Sequence, residues 1–131
     1  MAEAGTGIRS IRQVAQRARD LDRAVEFYRD TLGASFLARF DPPALAFFQF
    51  ADVRLLLEAS APSTTLYFAV DDIEASSEEL RGRGVVFEQE PQLVHRDDEG
   101  TFGAAGEEEW MAFFRDPDGN LLAITSRLGS M

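Results

Sequence analysis

The chain carries a single imidazole, His95, in the stretch PQLVHRDD. Imidazole titrates near neutrality, so His95 is a candidate general acid or base, or one ligand of a relocated metal site with the acidic run Glu107–Glu109. The plainer alternative is a salt-bridged residue at the base of a loop. Glu58, closing RLLLE, is a second candidate base if it faces an apolar cleft, and a solvated strand end if it does not. Gln13 offers an amide that bonds a ligand or a neighbouring backbone group. Tyr67, in TLYFAV, offers a hydroxyl that needs a partner wherever it is buried, and by strand alternation it shares a face with Thr65. Arg17 and Arg54 carry the planar fork that grips a carboxylate in a bidentate pair, although surface ion pairing is the commoner use in so acidic a chain. Trp110 lies beside a long polar stretch, where an indole stacks a ligand or packs a core.

Composition narrows the field. The net charge of −10 argues against nucleic acid and anionic membrane surfaces as general partners. The absence of Cys removes disulfides, thiolate metal sites and a cysteine nucleophile, and agrees with a cytoplasmic location. Residues Met1–Gly7, MAEAGTG, lack a basic-then-apolar leader pattern, and the longest apolar run, ALAFFQF, is too short to span a bilayer. Eleven Phe residues supply core, or the wall of an apolar cavity. GTFGAAG does not lie between a strand and a helix, so no phosphate-cradling loop is expected, and no Ser-centred elbow is present.

These side chains must be held by elements, and the elements repeat. Ile11–Ala18 reads as a strand. Asp20 is a helix N-cap, and Leu21, Ala24, Val25, Tyr28 and Leu32 follow at helical spacing until Gly33. ASFLARF, ALAFFQF and RLLLEAS then read as three strands. The order recurs as TLYFAV, a helix capped by Asp72 and ending at Gly82–Gly84, and the strands VVFEQ, WMAFF and NLLAITS. Gln13 to Thr65, Asp20 to Asp72 and Tyr28 to Leu80 share one offset of 52 positions. A fixed offset marks a duplicated unit. The expected fold is α+β, a single domain over 1–131 of two tandem βαβββ modules, at about 8–60 and about 64–128, in a curved mixed sheet around a cleft. Only the second module carries a long hairpin loop, expected at 96–109.

The segments IRQVAQRARDLDRAVEFYRDTLGASF, TLYFAVDDIEASSEELRGRGVVF and FFRDPDGNLLAI resemble the vicinal-oxygen-chelate superfamily of glyoxalases, bleomycin-resistance proteins and extradiol dioxygenases, over nearly the whole chain. The resemblance implies the paired-module fold, frequent homodimers, and in enzymatic members a divalent metal held by one side chain from the first and one from the last strand of each module. The usual set is His or Gln, Glu, His, Glu. Here the matching positions are Gln13, Thr65 and Ala123, with Leu56 the better match in the last strand of module one and Glu58 eligible after a register shift. An amide, a hydroxyl, a methyl and at most one carboxylate are a poor donor set for a divalent ion.

The resulting expectation is a glyoxalase/bleomycin-resistance/dioxygenase-like protein that binds a small, partly apolar molecule in the inter-module cleft, with the usual metal site largely lost and no cofactor. Gln13, Arg17, Arg54, Leu56, Thr65, Tyr67, Trp110 and Ala123 are the candidate ligand-binding residues. The alternatives are a divalent-metal lyase, isomerase or dioxygenase using Gln13, Glu58 and His95, and a metal-free isomerase or lyase with Glu58 or His95 as its catalytic base.

Overall fold

A computed structural model describes residues 5–7 and 9–128. Residues 1–4, 8 and 129–131, including most of Met1–Gly7 and the first residue of the expected first module, lie outside the described residues. Strand β1 (Gln13–Arg17) leads into helix α1 (Leu21–Glu26), then come β2 (Ser35–Phe40), β3 (Leu45–Phe50) and β4 (Val53–Glu58). The second half repeats the order with β5 (Leu66–Ala69), α2 (Ile73–Gly82), β6 (Gln89–Asp97), β7 (Glu107–Arg115) and β8 (Leu121–Leu128). Each half forms a four-stranded sheet, β1-β4-β3-β2 and β5-β8-β7-β6, with the first strand parallel to the last and the remaining pairs antiparallel. The α+β, paired βαβββ architecture read from the repeat is therefore the architecture found.

Local chemistry explains the helices. Asp20 accepts from the N–H of Arg23 at 3.2 Å and Asp72 from that of Ala75 at 3.1 Å, each satisfying an orphan donor of its first turn. Helix α1 loosens after Glu26 into a π-type segment, Phe27–Thr31, that carries the buried Tyr28. Gly33, at φ +73°, then takes a left-handed conformation that few side chains tolerate.

Both helices pack on one side of the sheets. Leu21, Ala24, Val25 and Tyr28 from the first half share a core with Ile73 and Leu80 of α2 and with Phe48, Leu55, Leu57, Phe114, Leu122 and Ile124 from the strands. One core thus spans both halves, and β3, β4 and β7 alternate between buried helix-side residues and a more open face.

Several boundaries differ from the sequence reading, and three bear on the site. Only Gln13–Arg17 of Ile11–Ala18 is strand. VVFEQ is not a strand as a whole, because β6 begins at Gln89. The long loop is 98–106, since β6 runs to Asp97 and β7 starts at Glu107. Arg96 and Asp97 pair across the ladder with Glu108 and Glu107, so the polar stem is sheet despite its composition. Asp97 organises the loop, accepting from the N–H groups of Thr101 at 2.7 Å and Phe102 at 2.8 Å. No helix among the described residues is long and apolar enough to cross a membrane.

Candidate functional site

The site is built on the open face. Register sets its geometry: Ala15 lies opposite Leu56 and Arg17 opposite Glu58, while Tyr67 lies opposite Ala123 and Ala69 opposite Thr125. Ala15 and Tyr67 are equivalent in the repeat, so Leu56 is the counterpart of Ala123, and Glu58 matches Thr125. No shift of register brings Glu58 to the Ala123 position.

Ala123 has no exposed surface although it points to the open face, between the core residues Leu122 and Ile124. Its cross-strand neighbours explain this. Tyr67 on β5 and Phe113 on β7 flank it in register, and their rings meet edge to face, with centroids 6.2 Å apart and planes at 83°. The two rings roof the methyl group. Tyr67 itself remains 56% exposed, and its hydroxyl has no hydrogen-bond partner among the described residues.

The remaining predicted residues divide into three groups. Gln13 is exposed and its Oε1 accepts from Arg54 Nε at 2.6 Å, and the Arg54 guanidinium lies 5.8 Å from the centre of the Phe47 ring. Amide, guanidinium and ring form one polar-edged patch beside Leu56. Glu58 accepts from Ser60 Oγ at 3.1 Å. Arg17 already has a carboxylate partner, with Asp118 Oδ2 3.3 Å from its Nε. Burial pushes the Asp118 carboxyl upward, but hydrogen bonds from Arg19 and the charges of Arg19 and Arg17 outweigh it and hold Asp118 below the usual carboxylate range. Thr65 is exposed at the entry to β5.

His95 lies on β6, the outermost strand of the second sheet, opposite Glu109, with its ring 6.0 Å from that of Phe102. Glu58 belongs to the other sheet. Trp110 departs from its expected place on the cleft wall. It shares strand parity with the buried Ala112 and Phe114, packs against the core and donates to Glu108 Oε1 at 3.1 Å. Phe113 and Met111 occupy the open face instead, because alternation sends one set or the other to the core, and the small Ala112 fits beneath the helix.

Sequence reasoning missed a charged cluster on the same face. Arg127 is bracketed by Asp97 at 3.0 Å, Glu107 at 2.8 Å and Glu109 at 3.3 Å, and Glu109 also accepts from the Thr125 hydroxyl. The even spacing of Asp97, Glu107, Glu109, Thr125 and Arg127 along three strands was the available signal. Sequence reasoning also missed Gln16, whose fully buried amide accepts from the N–H of Thr64 at 2.6 Å and donates to its carbonyl at 2.8 Å, joining β1 to the start of β5.

Residues 10–124 match the Glyoxalase/Bleomycin resistance protein/Dioxygenase superfamily. The chain belongs to this superfamily. Among solved structures of similar fold is TnmS3, an antibiotic binding protein from Streptomyces sp. CB03234, with TM-score 0.75 and 24% identity over 92% of this chain and 97% of that one. A lactoylglutathione lyase from Agrobacterium tumefaciens follows at TM-score 0.71 and 20% identity over 89% and 92%. A superfamily member from Sphaerobacter thermophilus DSM 20745 has TM-score 0.71 and 21% identity over 91% and 98%. No curated protein matches in sequence. At these identities the structural neighbours speak for the fold. They include a binder and a lyase, so the superfamily leaves the activity open.

The superfamily resemblance implies a divalent metal at Gln13, Leu56, Thr65 and Ala123. The residues present do not fit one. The Ala123 methyl is sealed beneath two rings, Leu56 offers only carbon, and the Gln13 oxygen is engaged by a cation. Among the described residues, no three His, Cys, Asp or Glu side chains are grouped so as to hold a metal ion.

Proposed function

We propose that this superfamily member binds a small, partly apolar molecule on the open face by burial and a few polar contacts, in the cytoplasm and as a homodimer. The observation that carries the reading is the Tyr67–Phe113 pair over Ala123. Where metal-dependent relatives would place a carboxylate, this chain presents two rings, one of them largely accessible. Met111, Leu56, Phe47 and Phe40 add apolar surface on the same side, and the Gln13–Arg54 pair and the Tyr67 hydroxyl supply directional contacts. A face of this kind suits a flat molecule with a polar edge. Exposed aromatic surface is also what a second copy would cover, and Phe40 is 53% exposed.

A thermal-shift screen with polycyclic aromatic compounds, followed by calorimetry, tests the reading. A stabilising compound should lose about tenfold in affinity with Phe113→Ala, as expected for removal of a stacking ring. Its affinity should stay within about twofold with His95→Ala. The proposal fails if no such compound binds, or if a stoichiometric divalent metal bound through Gln13, Glu58 or His95 proves necessary for ligand capture.

A further inference from the structure

The two halves repeat, but the seam between them does not. In the second half, the turn Asp116–Asn120 docks on the first half. Asn120 Nδ2 donates to the Arg17 carbonyl at 2.8 Å and to Asp116 Oδ2 at 2.9 Å, and the Tyr28 hydroxyl donates to the same Asp116 oxygen at 2.8 Å. Phe48 opposite Leu55 corresponds to Phe114 opposite Leu122, so by register Phe50 stands where Asp116 stands and Val53 where Asn120 stands. The repeat offset makes Ala69 the counterpart of Arg17 and Leu80 that of Tyr28. Every member of the polar plug is therefore replaced by an apolar or backbone group. The first-half turn is also one residue shorter, Ala51–Asp52 against Pro117–Gly119.

The missing plug leaves a cavity of about 550 Å³ on the helix side of the seam. Phe50, Phe68, Leu80, Phe114 and Ile124 form its apolar wall, and Tyr67 borders it from β5. Along one side runs the open edge of β5. The Val70 N–H bonds the Thr125 carbonyl at 2.9 Å and Ala69 is in register with Thr125, so in parallel pairing the N–H and C=O of Ala69 point away from β8, toward the seam. They have no partner among the described residues, whereas the equivalent Arg17 carbonyl is bonded by Asn120. The rim is electrically closed: Arg83 pairs with Glu79 at 3.0 Å and donates to the carbonyls of Asp30 and Thr31, both at 3.2 Å.

We infer that this cavity is a second ligand site, centred away from the Phe113 side of the open face although Tyr67 borders both, for a neutral bicyclic aromatic molecule with an amide-type donor–acceptor edge. Such an edge pairs with the N–H and C=O of Ala69 as a neighbouring strand would, and the rings fill the space that Tyr28 and its partners fill in the other half. A charged ligand is disfavoured because the walls offer no free counter-charge and burial of an unpaired ion is costly.

Carbostyril, a bicyclic lactam, and N-methylcarbostyril, with its donor blocked, are the probes, followed by amide resonances in an NMR titration of the full chain. The expected result is saturable shifts at Ala69, Val70 and Ala51, with affinity about tenfold weaker for the N-methyl compound, in line with one buried hydrogen bond lost. Ser76→Phe and, separately, Leu80→Phe should abolish those shifts by filling the cavity, and either variant that retains the wild-type spectrum elsewhere suffices. Shifts confined to Met111 and Phe113, equal affinity for the two probes, or binding unchanged in a folded cavity-filling variant would overturn the assignment. Loss of the Ala69 and Val70 shifts leaves ligand capture at the open face standing, because Phe113→Ala tests that reading separately.

Discussion

The rings of Tyr67 and Phe113 meet at 83° over the methyl group of Ala123. The contact turns a position suited to a metal-binding carboxylate into the floor of an aromatic wall. It also makes the floor intolerant of charge. Ala123→Asp should destabilise the protein by about 2–3 kcal/mol in urea unfolding, because a carboxylate there is desolvated without a partner. A variant as stable as wild type, especially one that gains divalent-metal binding, would show that the rings swing aside freely.

Tyr28 joins the first half to the second through one buried hydrogen bond to Asp116. Burial, together with the nearby Asp116 charge and its bond, raises the phenol far above its ordinary range, so the hydroxyl stays a donor at all ordinary pH values. Tyr28→Phe removes the donor and leaves the carboxylate one bond short. A loss of about 1.5–3 kcal/mol is expected by denaturant titration, typical of a bond to a charged acceptor. A loss below about 0.5 kcal/mol would mean that Asn120 and the backbone donors satisfy Asp116 alone.

Gln16 stitches the edge of β1 to Thr64 with both ends of its amide. Gln16→Leu keeps the bulk but strips two hydrogen bonds from a fully buried site. It should cost about 2 kcal/mol, whereas Gln13→Leu on the exposed end of the same strand should cost less than about 0.5 kcal/mol. Equal losses in thermal or chemical unfolding would contradict the assignment of Gln16 as the seam contact.

Asp97 gives the fold an acid sensitivity. Burial pulls its carboxyl upward, but the N–H groups of Phe102 and Thr101 and the Arg127 guanidinium outweigh burial and leave it below the usual range. A depressed folded-state value means that fewer protons are bound when folded. The stabilisation is complete above the unfolded carboxyl value, near about 3.9, and is lost as pH falls through the folded value. Asp97→Asn should therefore flatten the acid limb of a stability–pH curve below about pH 4 and speed amide exchange at Thr101 and Phe102 at neutral pH. An unchanged acid limb together with unchanged exchange would remove Asp97 from this role.

Much of the fold was legible because duplication writes itself into spacing. The two capping Asp residues, the strand order and the Ala at position 123 all follow from counting. Side-chain destination was harder. Trp110 and Phe113 sit three residues apart in one apolar run, and nothing in WMAFF says which parity meets the helix. The loop ends are hidden for a related reason: Asp97 and Glu107 look like solvated loop residues until a cross-strand partner, Arg127, neutralises them, and Arg96 until Glu108 does the same.

What the amino-acid order determined by itself was local and periodic: which segments pair as strands, where helices begin, and that the expected metal position holds a methyl group. What only the tertiary structure decided was everything that depends on two distant segments meeting. Tyr67 and Phe113 close over Ala123, Tyr28 finds Asp116 across 88 positions, and the seam is plugged with polar groups at one end and left hollow at the other. Spacing along a chain encodes which face a side chain takes. Only the packing of one half against the other supplies the partner that it meets there.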